Sequence, residues 1–196
     1  MTAATYTHDH LVRDLCARIL DRLASQDPRA TQALEDMGLS SEPRLSVEVG
    51  LVLAGNGAEA TRVGQESLNR IGEYLDRPVK ENPPASAITS GDLVVLSVDA
   101  QAASGKSKAL VTRLERQLQA VGHSGAIAVL AFEGFNAWPQ AVRQKVAGVV
   151  QKNPSPRLFC FFGKDPSLPS PRIPLLDSCQ ELDVGSEPTH IRRLGM

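Results

Sequence analysis

The sequence predicts a three-layer α/β protein, in which a mostly parallel sheet of about four to six strands has helices on both faces. Strand-like apolar runs alternate along the chain with segments whose apolar residues recur at helical spacing. The stretches between successive strands are long enough to hold the crossover helices that parallel pairing requires. A chain of 196 residues can also bury a core without disulfides or metals.

An N-terminal helical segment is expected over residues 9–38. Apolar residues from Leu11 to Leu23 recur on one helical face, which indicates an amphipathic helix. Asp27 followed by Pro28 is typical of a helix start, and Gly38 offers a left-handed end, so a second, short helix follows.

The alternating stretch 44–54 predicts a strand with one partly wet face, as at the edge of a sheet. A helical pattern then continues to Leu75, and the proline-bearing stretch 76–91 is expected to be a connector. The runs 92–98, 126–132 and 157–162 are nearly continuous in apolar residues, which is typical of strands covered on both faces. Residues 1–165 are therefore expected to form a single α/β domain.

The last segment, 166–196, has a different composition. Four prolines fall within its first nine residues, and proline lacks the amide hydrogen that a central strand needs. We expect this segment to be a C-terminal arm or an edge segment of the sheet.

Composition and charge disfavour several classes of protein. The chain is 42% hydrophobic and 22% charged, with a formal net charge of −1 and no long block of like charge, so a nucleic-acid partner is not expected. No apolar run approaches the roughly 20 residues that cross a membrane, and no secretion signal is recognised. The three cysteines are scattered without a Cys-x-x-Cys pair, which favours a reducing compartment. We expect a cytoplasmic protein.

The loop from Ala100 to Ser107 gives the strongest functional signal. Ala100, four further residues, and then Gly105, Lys106 and Ser107 match the phosphate-loop consensus with alanine allowed at its first position. The loop joins an apolar strand to a helix, so its amide hydrogens and the positive end of the helix would converge on an anion. Lys106 would add positive charge near the outer phosphates, and the Ser107 hydroxyl would coordinate a magnesium ion.

Across residues 92–135 the chain resembles the P-loop NTPases, particularly small-molecule kinases of the uridine, pantothenate and fructose kinase type. Such kinases often carry Asp-Gly-Phe after the next strand, where this chain has Glu133-Gly134-Phe135. The resemblance implies ATP and Mg²⁺ as cofactors and gives Glu133 the role of catalytic base or metal-associated acid. Asp99, at the end of the preceding strand, is a second candidate for the acid that serves the metal.

Two functional hypotheses therefore stay open. The first is a P-loop-like protein that binds a nucleotide or a phosphorylated small molecule, as a degenerate relative of the kinases. Alanine occupies positions 100, 102 and 103 where the kinases carry glycine. The loop can therefore form a phosphate-binding nest of backbone amide hydrogens only if these alanines tolerate the backbone angles that the nest requires. The second is a noncatalytic accessory protein that contacts a protein partner through its N-terminal helices or its proline-rich tail. Whether the chain is an enzyme is left open by both.

Two weaker motifs are better explained without a ligand. Gly55, Gly57 and Ala60 fit a relaxed dinucleotide-binding fingerprint, but an ordinary turn is favoured because the preceding strand has an edge-like pattern. His8 and His10 form a His-x-His pair at the terminus, where the start of a helix explains them better than a metal does.

Overall fold

The computed structural model describes residues 8–40, 51–54, 59–98, 107–155, 157–164, 168, 180–183 and 191–193. The helices in these ranges are α1 (His8–Ala24), α2 (Pro28–Asp36), α3 (Glu59–Leu75), α4 (Ser107–Ser124) and α5 (Gln140–Lys152). The strands are β1 (Leu51–Ala54), β2 (Val79–Glu81), β3 (Leu93–Val98), β4 (Ile127–Phe132), β5 (Leu158–Lys164), β6 (Gln180–Asp183) and β7 (Ile191–Arg193). Short 3₁₀ helices span Ala85–Ala87 and Phe135–Ala137.

The described strands form one sheet in the order β2-β3-β4-β5-β1-β6-β7. Every neighbouring pair is parallel except β6 and β7, which are antiparallel. The predicted α/β class with a mostly parallel sheet is confirmed. The described residues contribute seven strands to the sheet, where about four to six were expected. The difference arises because β2 lies inside the expected connector, and β6 and β7 come from the proline-rich segment.

Strand β1 occupies an interior position, which corrects the expectation that the stretch 44–54 forms an edge strand. Leu51 pairs with Phe161 of β5 on one side and with Gln180 of β6 on the other. The alternation in sequence gave no sign of β6, because that strand comes from a distant and irregular part of the chain. Residues 44–50 and the glycines of the dinucleotide fingerprint lie outside the described residues.

The N-terminal segment forms the two predicted helices. Asp27 caps α2, since its Oδ1 accepts the backbone N–H of Arg29 at 3.0 Å. Gly38 has φ +66°, the left-handed conformation expected after this helix. Helices α1 and α2 then pack with α3 on one face of the sheet.

The two faces of β3 and β4 are buried under different helices. Val95 and Val129 belong to the core beneath α1, α2 and α3, whereas Val94 and Leu96 belong to the core beneath α4 and α5. Successive side chains of a strand point to opposite faces, so a strand buried on both faces needs the continuous apolar runs seen in the sequence. No helix in the described ranges is long and apolar enough to span a membrane.

The register aligns the carboxyl ends of the central strands. Val98 of β3 pairs with Phe132 of β4, Phe132 pairs with Phe162 of β5, and Phe162 pairs with Val52 of β1. Helices α3 and α4, which follow β1 and β3, both begin at this carboxyl edge and pack on opposite faces.

Candidate functional site at the carboxyl edge

The carboxyl edge has the arrangement that open parallel sheets use for ligands. Strand β1 leads to α3 on one face, whereas β3 leads to α4 on the other. Ligands of open α/β sheets bind outside the carboxyl ends of the strands. In this sheet β4 and β5 lie between β3 and β1. The N-termini of both helices add positive dipole ends at this edge.

The predicted phosphate loop connects two elements whose ends are fixed. Strand β3 ends at Val98, and α4 begins at Ser107, which agrees with the expected strand-loop-helix order. Asp99, Ala100, Gly105 and Lys106 lie outside the described residues, as does the side chain of Ser107.

Glu133 lies at the same edge, directly after β4. Its backbone N–H donates to the carbonyl oxygen of Val98 at 2.7 Å, which joins the ends of β3 and β4. Its Oε1 accepts the backbone N–H of Thr61 at 2.7 Å and also accepts the Thr61 hydroxyl. Thr61 lies in the first turn of α3, so the Glu133 carboxylate caps this helix and complements its positive end. The sequence did not reveal this contact, because the two residues are 72 positions apart.

A tight turn holds Glu133 in place. Gly134 has φ +58°, a left-handed conformation that glycine adopts without strain. Trp138 Nε1 donates to the Glu133 carbonyl oxygen at 2.8 Å. Below the turn, four buried aromatic rings pack with centroids 5.0–5.6 Å apart: Phe132, Phe135, Trp138 and Phe162. The turn Glu133-Gly134-Phe135 is thus anchored by the Trp138 hydrogen bond and by the buried ring of Phe135.

The histidine pair gains a structural explanation. His8 Nε2 lies 2.8 Å from Glu66 Oε2, and this contact joins the first turn of α1 to α3. The His8 hydrogen bond and the Arg70 cation together hold the pKa of Glu66 below its usual value, against the opposing effect of burial. Among the described residues, no group of three or more His, Cys, Asp or Glu side chains is placed to hold a metal ion.

An open groove runs along α4, beginning one residue after Ser107. It has a volume of about 1210 Å³ and lies between α4 and the turn that follows β2. We call it the α4 groove and define it by its lining residues: Asn82, Pro84, Ala85, Ser86, Lys108, Ala109, Thr112, Arg113, Arg116 and Gln117. Three of these side chains are basic and none is acidic. The sequence did not reveal the groove, because its two walls come from separate segments whose charges are interspersed with others.

Hydrogen bonds fix the turn that forms the outer wall of the α4 groove. Gln117 is buried in α4, and its Nε2 donates to the Pro83 carbonyl oxygen at 2.7 Å. Asn82 donates its backbone N–H to Val95 O at 2.8 Å. The Asn82 side chain exchanges two further hydrogen bonds of 2.9 Å with the backbone and hydroxyl of Ser97. The wall is therefore tied both to the helix and to β3.

A buried carboxylate supports the base of the same turn. Asp92 Oδ2 accepts Lys80 Nζ at 2.7 Å and the Thr89 backbone N–H at 2.6 Å, and Lys80 also donates to Ala87 O at 2.8 Å. Burial by itself would raise the pKa of Asp92, but the hydrogen bonds from Lys80 and Thr89 outweigh it and lower the pKa below its ordinary value. This network lies in the stretch expected to be a plain connector.

Comparison of the chain with protein-family models, with curated proteins and with solved structures finds no match. The resemblance of residues 92–135 to the P-loop kinases therefore remains a prediction from the motif. Function must be inferred from the carboxyl edge and from the α4 groove.

Proposed function

We propose that this protein binds the phosphate groups of a nucleotide or of another phosphorylated small molecule at the carboxyl edge of its sheet. The observation that carries the proposal is the path of the chain from β3 to α4. Strand β3 ends at Val98, which pairs with Phe132 of β4, and α4 begins nine residues later at Ser107 on one face. Helix α3 begins at the same edge on the opposite face, where Thr61 contacts Glu133 directly after β4, the strand beside β3.

Each residue of the loop has a distinct role in this proposal. The amide hydrogens around Gly105, at the positive end of α4, receive the phosphate oxygens. Lys106 neutralises the outer phosphates, and Ser107 holds the Mg²⁺ of a magnesium nucleotide. Lys108, an exposed cation in the first turn of α4, adds positive charge beside the loop.

Glu133 is proposed as a positioning residue in preference to a catalytic base. Its Oε1 accepts two hydrogen bonds from Thr61, which keeps the start of α3 at the crevice. The proposal is therefore a binding function. Asp99, which directly follows β3, is the acid best placed in sequence to serve the metal of a bound nucleotide.

Thermal unfolding with and without ligand tests the proposal. At a hundredfold excess over its dissociation constant, Mg-ATP, Mg-GTP or pyrophosphate should raise the free energy of unfolding by about 2.7 kcal/mol. Lys106→Ala should abolish this rise, because it removes the loop cation. Lys152→Ala, at the far end of α5, is the matched control and should leave the rise unchanged. No stabilisation by any of the three ligands at millimolar concentration would overturn the proposal.

A second variant separates the phosphate nest from the metal. Ser107→Ala should weaken Mg-ATP binding by about tenfold, or roughly 1.4 kcal/mol, while pyrophosphate binding in a metal chelator stays unchanged. If Ser107→Ala weakened the binding of Mg-ATP and of metal-free pyrophosphate equally, Ser107 would belong to the phosphate-binding nest and its proposed metal role would be wrong. The same titrations, followed for nucleotide turnover, show whether binding is accompanied by catalysis.

The cysteines support the proposed placement of the protein in a reducing, cytoplasmic compartment. Cys16 is a free, buried thiol on α1, and Cys160 is buried in β5. Burial raises the pKa of Cys16 to about 11, so its reactive thiolate is rare at neutral pH.

A further inference from the structure

We propose that the α4 groove is a docking site for an acidic peptide segment of a partner protein. This proposal goes beyond phosphate binding at the loop and is tested separately from it. Three cations, Lys108, Arg113 and Arg116, line the groove, and none of its described lining residues carries a negative charge. A concave surface with charge of one sign attracts a ligand of the opposite sign.

Several basic side chains elsewhere in the molecule have a carboxylate partner. Arg18 contacts a carboxylate at 2.8 Å and Arg70 contacts one at 2.6 Å; Lys80, in β2, contacts one at 2.7 Å. Within the described part of the chain, no ion pair involves any of the three groove cations. Their charge is therefore available to a partner.

The dimensions of the groove favour an elongated ligand. Residues 108 and 116 are separated by about 12 Å along α4, at a rise of about 1.5 Å per residue. An extended peptide covers this distance with about four residues. The volume of about 1210 Å³ also exceeds the range of about 300–1,000 Å³ that is typical of compact small-molecule sites.

The chemistry of the lining favours a peptide over a nucleic acid. None of the described lining residues is aromatic, whereas single-stranded nucleic acids are usually held by bases stacked on aromatic rings. The lining instead offers Pro84, Ala85 and Ala109 as apolar contacts, and Ser86 and Thr112 as hydroxyl groups. A peptide that combines acidic and small apolar residues would match this lining.

The groove is also preformed. Gln117 ties its outer wall to α4, and Asn82 ties the same wall to β3. A rigid wall reduces the ordering entropy that binding would otherwise cost.

The test uses the full chain and a fluorescein-labelled peptide of alternating glutamate and alanine. Fluorescence anisotropy measures the binding of the peptide. We expect the unmodified protein to bind this peptide and the affinity to fall as salt is raised. The charge-reversed variant R113E/R116E should bind at least about tenfold more weakly. Arg22→Glu is the matched control: Arg22 is an exposed cation on α1 in the opposite layer, so its reversal should change affinity by less than about twofold.

Further measurements keep the test decisive. R113Q/R116Q removes the charges without introducing acids, and it should also weaken binding if the charge-reversed protein fails to fold. Both variants should keep the stabilisation by pyrophosphate, since the loop 100–107 is unchanged. Absence of peptide binding by the unmodified protein, or an equal loss in Arg22→Glu, would overturn the proposal. If a single-stranded oligonucleotide of equal charge bound more tightly than the peptide, the peptide proposal would be overturned in favour of a nucleic-acid ligand.

Discussion

The two helical layers that cover the sheet differ in composition and in the use of their charges. The core beneath α1, α2 and α3 is almost wholly aliphatic, and three cations of this layer, Arg18, Arg70 and Arg77, are paired with carboxylates. The core beneath α4 and α5 contains the four-ring aromatic cluster below the carboxyl edge. Its surface carries the three cations of the α4 groove, which form no ion pair with another described residue.

This difference assigns separate tasks to the two layers. Helix α3 lies so close to the sheet that a Cβ at Gly64 would meet Val129 Cγ1 at 2.6 Å, which indicates a layer built for tight support. Gly148 of α5 is only half-buried, and a Cβ there would meet nothing within 4 Å. In the proposals made above, α1, α2 and α3 support the sheet and the α4 side carries recognition.

The largest expected effect comes from the aromatic cluster. Phe132→Ala removes the ring that contacts Phe135, Trp138 and Phe162, and should lower the free energy of unfolding by about 3–5 kcal/mol. Phe132→Leu keeps most of the volume and should cost less than about 1.5 kcal/mol. Urea denaturation measures both. A loss below about 1 kcal/mol in the alanine variant would show that the cluster does not stabilise the edge.

A pair of glycine variants tests the contrast in packing directly. Gly64→Ala should destabilise the protein by about 1–3 kcal/mol, because the new methyl group is forced against Val129 in β4. Gly148→Ala should stabilise it by about 0.5–1 kcal/mol, because a helix-interior glycine gains propensity without a clash. Equal effects of the two changes on thermal unfolding would contradict the difference between the layers.

The Asp92 network should make stability depend on pH. The lowered pKa of Asp92 means that its ionised form stabilises the folded state above the ordinary value of 3.8, and that this stabilisation is lost as the pH falls through the folded-state pKa. Asp92→Asn should therefore cost about 1–3 kcal/mol at neutral pH and progressively less in acid. Urea titrations at several pH values measure whether the free energies of unfolding of the variant and the unmodified protein converge in acid. A difference between them that does not change with pH would argue against an ionised Asp92.

The smallest expected effect concerns the cap of α3. Thr61→Val removes the hydroxyl that donates to Glu133 and keeps the backbone N–H, so it should cost about 0.5–1.5 kcal/mol. Thr112→Val on the exposed side of α4 is the control and should change stability by less than about 0.5 kcal/mol. Identical unfolding midpoints for Thr61→Val and the unmodified protein would show that the hydroxyl contact of the cap does not stabilise the fold.

The elements that could be predicted from the sequence are those whose signals are local. The helices at 9–38 have periodic apolar patterns, and the doubly buried strands β3 and β4 have nearly continuous apolar runs, each within a single segment. The interior position of β1 could not be predicted, because its second neighbour β6 comes from a segment rich in prolines and poor in periodicity. Strand β2 is only three residues long, which is too short for a periodic signal.

The same distinction applies to the candidate site. The ends of the loop 100–107 follow from the strand and the helix on either side of it. The cap formed by Glu133 on α3 and the walls of the α4 groove depend on contacts between distant segments, so local patterns do not contain them. A single sequence names candidate residues, but tertiary packing determines which of them meet.

Backbone amide NMR during a titration with pyrophosphate tests phosphate binding at the carboxyl edge most directly. We expect chemical-shift changes concentrated in residues 99–108 and in the turn at Glu133 and Gly134, with none in α1 or α2. Lys106→Ala should remove these changes. Changes confined to the α4 groove at Arg113 and Arg116, or no changes at millimolar pyrophosphate, would contradict the proposal.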